Sequence, residues 1–252
     1  MTATGHTARQ VITVSIVSHG QGALVGQLLR QLNALSSAVI AKVVLTLNLP
    51  EPLDVDSLGL RFPLEVLVNA VPQGFGANHN HAFSHCKSAW FLVLNPDIEL
   101  RDDALARLLT HALSTSGVLA PLVQEPHTLL PTPERNALTP WELLVGKRLL
   151  RSAPAAPVWF PGMFMLFRAR AYRQVGGFDE RFHLYCEDFE VCARLRLRGW
   201  ALQRDWQVTV CHDARRDSHV RPTYLLWHVQ SLLRLWATAS FWRYWWFLRR
   251  GA

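Results

Sequence analysis

The chain has 252 residues, half of them hydrophobic, which suffices for one substantial domain with its own core. It has no uninterrupted apolar run long enough to span a bilayer, and Met1 to Gln10 lack the apolar centre of a signal peptide, so neither span nor leader is expected. The four cysteines, Cys86, Cys186, Cys192 and Cys211, form no C-x-x-C pair, which argues against a disulfide framework or structural zinc site and fits a reduced, cytoplasmic compartment. Of the 26 basic and 19 acidic residues, seven arginines and one acid lie after residue 213; the tail therefore carries +6 and the remainder +1 of the net +7.

Val11 to Val17 is an apolar, β-rich run of the kind buried in a parallel sheet. Ser18 to Gly22 form a loop, and Leu24, Leu28, Leu32 and Leu35 then recur at nearly helical spacing. A second strand is expected over Ala41 to Leu47, with Asn48 at its end, and a third over Leu64 to Val68. The third leads into the glycine loop Gly74-Phe75-Gly76-Ala77-Asn78. A helix over about His79 to Lys87 precedes a fourth strand, Trp90 to Leu94, which Asn95-Pro96-Asp97 ends. Asp102 to Leu113 reads as a helix with Leu105, Leu108 and Leu109 inward. This alternation predicts an α/β domain with a mostly parallel sheet, whose ligands bind where loops leave the C-terminal strand ends. The proline-rich stretch 125–157 breaks the pattern and reads as an irregular connection shaping an acceptor pocket or lid.

Residues 176–213 carry the densest set of signals. Gly176 and Gly177 end one element, Glu187-Asp188 opens a short helix that Gly199 stops, and the strand Trp206 to Val210 delivers His212. Asp188, Val191, Cys192 and Leu195 fall at i, i+3, i+4 and i+7, so Asp188 shares the inward face with apolar residues. A carboxylate there is a candidate general base; equally, Glu187 and Asp188 could simply complement the helix dipole. His79, His81, His85, His111 and His127 lack a carboxylate at metal-ligand spacing and read as core or surface residues.

Taken together, G-G-F-D-E-x-F, E-D, R-L-x-x-R-G and the final histidine resemble the C-terminal half of the catalytic domain of family 2 glycosyltransferases. The similarity is to the rhamnosyltransferase-like members that build bacterial surface polysaccharides, and it spans roughly residues 11–213. It implies a GT-A type fold, a single Rossmann-like, mostly parallel sheet flanked by helices. It also implies that Asp188 is the catalytic base, that Asp97 ligates Mg²⁺ or Mn²⁺, and that His212 is a metal or diphosphate ligand. Ser18, His19, Asn48, Gly76, Asn78, Asp97 and Glu187 are the positions it implies for the sugar nucleotide. Three positions depart from the family pattern. Asn95 replaces the first acid of D-x-D, Asn48 stands where Asp-Asn is usual, and His19 replaces a tyrosine. Glycines at 74 and 76 allow close backbone approach, while Asn78 would serve equally as a helix cap.

Residues 1–213 thus form the expected catalytic domain, and 214–252 a basic helical tail holding five of the ten tryptophans. Thr223 to Arg250 contains no glycine or proline, and a wheel gathers Leu225, Val229, Leu232, Leu233, Trp236 and Ala239 on one side. That composition suits an amphipathic helix on the inner face of the plasma membrane; packing on the domain or in a homodimer explains it as well. A nucleic-acid partner is not expected of a nearly neutral body without a groove-reading motif. The expected activity is inverting transfer from a dTDP-rhamnose-like or UDP-sugar donor to a hydroxyl of a glycan or lipid-linked acceptor. A catalytically inactive sugar-nucleotide binder and a sugar-phosphate nucleotidyltransferase are the rivals. Retention of Asp97 and Asp188 argues against the first, and the lack of Lys or Arg in 18–26 against the second.

Overall fold

The computed structural model describes residues 10–125, 137–140, 157–212 and 222–250. Most of the expected 125–157 connection, the N-terminal residues and the start of the tail lie outside the described residues. In chain order the elements are β1 (Ile12–Ser18), α1 (Gly22–Gln31), β2 (Ile40–Leu47), β3 (Leu64–Val68), α2 (Phe75–Ser84), β4 (Trp90–Leu94), β5 (Ile98–Glu99) and α3 (Ala104–His111). They continue with β6 (Ser116–Gln124), β7 (Phe164–Arg168), α4 (Ala169–Val175), α5 (Glu187–Leu197), β8 (Ala201–His212), α6 (Pro222–Trp236) and α7 (Ala239–Arg249).

All eight strands join one sheet in the order β3-β2-β1-β4-β7-β6-β8-β5. Its first half, β3-β2-β1-β4, is wholly parallel. In the second half β7 runs antiparallel to both β4 and β6, β5 runs antiparallel to β8, and β6 and β8 are parallel. Four of the seven pairings are therefore parallel. The expected parallel character belongs to the N-terminal half and gives way to a mixed sheet beyond β4.

Strand alternation sends side chains to two cores. Leu92 and Leu94 of β4 face Ile12, Val14, Ile16, Leu28 and Leu105, while Phe91 and Val93 face Phe167, Tyr172, Phe178 and Phe189. A central strand covered on both faces reads as an unbroken apolar run, which is why β4 falls where the sequence places it. The expected strand 206–210 is longer, starting at Ala201, because polar Gln203, Arg204 and Asp205 find partners in Ser116, Pro121 and His111.

The tail is two helices rather than one. Thr238 breaks it and caps α7 by accepting a hydrogen bond from Phe241 N at 3.3 Å. Leu235, Phe241 and Tyr244 are fully buried in the same core as Phe189 and Cys192 of α5. Tyr244 donates to Val158 O at 2.6 Å, and the Phe189 and Phe241 rings sit 5.6 Å apart. The apolar side drawn on the wheel is split: Leu232 and Trp236 pack on the core, while Leu225, Val229 and Leu233 are exposed.

Candidate functional site

The parallel strands end in loops tied together by amides. Asn48, at the end of β2, is fully buried. Its Oδ1 accepts from Gln73 N at 2.8 Å and from Asn69 Nδ2 at 2.6 Å, and its Nδ2 donates to Gln73 O at 2.9 Å. Asn69 Nδ2 also reaches Asn78 Oδ1 at 2.6 Å, and Asn78 Nδ2 donates to Gln73 O and Gly74 O. Asn48 and Asn78 thus hold the glycine loop in shape with both ends of their amides engaged. His19 is exposed beside them, with Nε2 3.2 Å from Asn48 Nδ2. Desolvation of the part of the ring that packs against the loops, then the neighbouring His183, lowers its pKa against the opposing pull of Glu51.

Ser18 is buried and donates to Glu51, whose other oxygen accepts from Gly22 N at 2.7 Å at the start of α1. Glu51 therefore supplies a carboxylate close to the place where Asn48 lacks one. The sequence reading missed it, because it stands in a loop flanked by prolines without periodicity or motif.

Gly74, Gly76 and Asn80 have a purpose that the motif alone does not show. A Cβ on Gly74 would meet His183 O at 2.7 Å, and one on Gly76 would meet Phe178 Cβ at 2.8 Å. The close approach at Gly76 is thus to the G-G-F-D segment, and Gly76 is buried beneath it rather than open to a cleft. Asn80 completes the clasp. Its Oδ1 accepts from Tyr172 Oη at 2.7 Å and Phe178 N at 2.9 Å, while its Nδ2 donates to Phe178 O at 2.9 Å. His79, next to it, is buried with Nδ1 2.8 Å from Ser15 Oγ, and burial pushes its pKa down to about 3. Its neutral role in the core agrees with the sequence reading. His85 is on the surface, paired with Glu65 at 2.7 Å.

The clasp leads directly to the base candidate. Tyr185 and Cys186 both adopt positive φ, 72° and 68°, immediately before Glu187-Asp188. Such backbone costs roughly 1–2 kcal/mol per non-glycine residue and is held only where surroundings enforce it. Helix α5 then begins with Glu190 N bonded to Cys186 O at 3.0 Å. Val191, Cys192 and Leu195 are fully buried as the periodicity predicts, and Glu187 is buried too, while Asp188 remains partly accessible. Burial, and then Asp188 beside it, hold the Glu187 carboxyl well above the usual carboxylate range, and its Oε2 has no hydrogen-bond partner. Arg194 braces the same turn, pairing with buried Glu190 at 2.6 Å and donating to Gly177 O at 2.7 Å.

The Asn95-Pro96-Asp97 turn and Asp188 are both tied to the segment that enters β7. Asn95 N donates to Met163 O at 2.9 Å, and the adjacent Gly162 N donates to Asp188 Oδ2 at 3.2 Å. A Cβ on Gly162 would lie 2.9 Å from the Phe75 ring, so the glycine loop closes on this point as well. Gly162, which the sequence reading passed over, donates to Asp188 one residue before the Met163 carbonyl that accepts from Asn95. Pairing of Ile98 with His212 in β5 and β8 brings His212 Nε2 to 3.2 Å from Asp97 Oδ2. Asp97 Oδ1 is buried and has no hydrogen-bond partner. An unpartnered carboxylate oxygen beside an imidazole fits a divalent cation. Among the described residues no cluster of three or more such ligands occurs, so further ligands would be diphosphate oxygens and water.

Known proteins resemble this chain in sequence and in fold. The profile described as glycosyl transferase family 2 matches residues 51–176, and that described as glycosyl transferase family group 2 matches residues 120–249. The chain is 27% identical over 245 residues to rhamnosyltransferase WbbL of Escherichia coli (strain K12), covering 89% of this chain and 92% of that protein. It is 31% identical over 133 residues to N-acetylglucosaminyl-diphospho-decaprenol L-rhamnosyltransferase of Mycobacterium tuberculosis, covering 44% of this chain and 42% of that one. The mannosyltransferase PcManGT from Pyrobaculum calidifontis, solved with GDP-Man and Mn²⁺, superposes with a TM-score of 0.63 at 16% identity, over 90% of this chain and 65% of that chain. Staphylococcus aureus TarS with UDP gives 0.64 at 13% identity, over 91% of this chain and 66% of that one. The chain thus spans just under two thirds of these structures and less than half of the mycobacterial relative; at such identity the structures establish the GT-A fold. Each family profile covers half of the chain, and the chain accordingly belongs to glycosyl transferase family 2 as a rhamnosyltransferase-like glycosyltransferase.

Proposed function

We propose that the protein is an inverting transferase that moves a sugar, from a dTDP-rhamnose-like or UDP-sugar donor, to a hydroxyl of a glycan or lipid-linked acceptor in surface polysaccharide synthesis. The observation that supports this reading is that the Asn95-Pro96-Asp97 turn and Asp188 are both tied to the segment entering β7, through Met163 O and Gly162 N respectively. Asp188, oriented by the Gly162 N–H, takes the acceptor's proton as its oxygen attacks the anomeric carbon. Glu187 is buried while Asp188 is partly accessible, which leaves that role to Asp188. Asp97 and His212 would hold Mg²⁺ or Mn²⁺, which when bound neutralises charge on the departing nucleoside diphosphate. Ser18, His19 and the Asn48–Asn78 network shape the nucleotide side.

No helix among the described residues is long and apolar enough to cross a membrane. Exposed Leu225, Leu226, Val229 and Leu233, on a tail rich in arginine, support peripheral attachment to the inner membrane face.

Asp188→Asn should lower transfer by roughly a hundred- to ten-thousand-fold with donor affinity retained. Chelator should abolish wild-type activity, and Mg²⁺ or Mn²⁺ should restore it. Transfer by Asp188→Asn within a few-fold of wild type, or a product that keeps the donor's anomeric configuration, would overturn the mechanism.

A further inference from the structure

Helix α6 carries two rows of side chains on opposite sides. Leu225, Val229 and Leu233 recur every four residues, and so do Trp227, Ser231 and Leu235; the offset of two residues is just over half a turn. The second row faces the body of the protein. Leu235 and Ser231 are buried, Trp227 packs on His183 with ring centroids 4.9 Å apart, and Ser231 Oγ donates to Leu184 O at 2.7 Å. His228, beside that row, packs on Tyr185 at 4.8 Å. The first row faces away: Leu225 and Leu233 are 70% and 59% exposed, and Leu226 and Val229 are exposed with them. Large apolar side chains left in water along one helix face mark a contact surface.

Charge selects the partner. From Pro222 to Arg250 there are four arginines and no acid, and Arg234 on α6 and Arg243 on α7 are exposed. An anionic bilayer complements such a helix, with apolar side chains at headgroup depth and guanidinium groups among the phosphates. A second copy of the chain would instead bring arginines against arginines, with no acid on the tail to offset them.

The inner row bears on the base. Tyr185 and Cys186 hold positive φ, which persists only where neighbours enforce it. Enforcement on residues 183–185 comes from Trp227, His228 and Ser231 of α6, and from Phe75 N, which donates to His183 O at 2.9 Å. Cys186 O then accepts from Glu190 N in the first turn of α5, of which Asp188 is the second residue. Direct contact and continuous backbone thus lead from α6 to Asp188. We propose that the outer row of α6 docks on an anionic membrane surface, and that docking holds the inner row on residues 183–185 and keeps the backbone before Asp188 in its strained form. A surface that binds only the seated helix makes unseating rarer, about a hundredfold when lipid is a hundred times its dissociation constant. The inference rests on the membrane attachment and the base assignment proposed above, and adds that attachment conditions the base.

Hydrogen–deuterium exchange of the full-length protein, read alongside vesicle co-sedimentation, tests this. Phosphatidylglycerol vesicles should sediment the protein and slow amide exchange across residues 184–190 roughly tenfold or more, with β1 unchanged. Phosphatidylcholine vesicles should do neither. Leu225→Ser combined with Leu226→Ser should abolish both effects. Ser231→Ala keeps the outer row, so it should sediment like wild type yet show roughly fivefold less slowing, about the worth of one hydrogen bond. Slowing in Ser231→Ala equal to that of wild type would overturn the route through α6. If wild type sediments while exchange at 184–190 is unaltered, the attachment stands and the coupling is overturned. If phosphatidylglycerol sediments no protein, the attachment itself fails and takes the coupling with it.

Discussion

The loops at the ends of the parallel strands and the segment from Gly176 to Leu197 are built from similar polar residues put to opposite use. In the loops, Asn48, Asn69, Asn78 and Gln73 bond to one another until their amides are engaged. In the later segment, Glu187 keeps an unpartnered buried oxygen and Tyr185-Cys186 hold a disfavoured backbone. A saturated network is stiff and contributes shape; an unsatisfied group retains the free energy that a substrate or proton can later claim. Asp97 sits at the border, with one oxygen on His212 and the other unpartnered. The strained segment needs outside support, which comes from the Asn80 clasp, the Arg194 brace and the tail helices.

If the tail is part of that support, removing it should have the largest effect. A chain ending before α6 would expose Phe189 and lose fully buried Leu235, Phe241 and Tyr244. At about 1.5–3 kcal/mol for each large apolar side chain, the loss approaches the whole stability of a typical domain. Aggregation or a collapsed melting temperature is expected. The double substitution Leu225→Ser and Leu226→Ser touches only exposed positions and should leave melting unchanged while reducing co-sedimentation with anionic vesicles. A truncated protein that melts like the full chain would show that the tail is an appendage, and the comparison would lose one of its supports.

Arg194→Met should cost less, on the order of 3 kcal/mol, because it leaves Glu190 buried without its cation. It also frees the Gly177 carbonyl, so the Gly176–Phe178 turn should loosen. Urea unfolding measures the first effect, and faster amide exchange at Phe178 than in β1 measures the second. Equal exchange changes in both regions would mean that Arg194 stabilises the whole domain without bracing the base segment in particular.

Much of the parallel half was legible because β1, β2 and β4 are apolar runs buried along most of their length, and edge strand β3 is an apolar run as well. β3 and β4 fall at the residues that the apolar runs predict, 64–68 and 90–94. β6 and β7 lie outside the strands expected from the sequence, although Val118-Leu119-Ala120 and Phe164 to Phe167 are apolar. Pro121 interrupts the first run, and antiparallel insertion of β7 between β4 and β6 is a long-range pairing that no local pattern encodes. In the site, the family resemblance pointed to Asp97, Asp188 and His212; the structure brings Asp97 to His212 through β5 and ties Asp188 to Gly162. Glu51 and Gly162 carried no sequence signal. Each depends on a neighbour distant in the chain. Asn80 and Arg194 were visible as motif letters, but only their partners reveal that they are clasps.

The smallest expected effect concerns His79, a buried titratable group on α2 beneath the glycine loop. Its pKa is depressed to about 3 by burial, against an ordinary value of 6.5. Between those values the unfolded chain binds a proton that the native protein does not, so stability falls as pH falls through this window. The slope approaches about 1.4 kcal/mol per pH unit well below 6.5, which amounts to roughly 1 kcal/mol between pH 7 and 5.5. Glu187 acts in the opposite sense, since its raised pKa favours the native state as protons are added, and His19 adds to the His79 trend. Comparing wild type with His79→Gln removes both of these common contributions. The variant should be less stable at pH 7 through altered packing and the disturbed Ser15 contact, yet lose about 1 kcal/mol less than wild type on going to pH 5.5. Parallel urea midpoints for the two proteins across this range would show that His79 is protonated in the native state, and that the polar floor beneath the glycine loop is wetter than its burial implies.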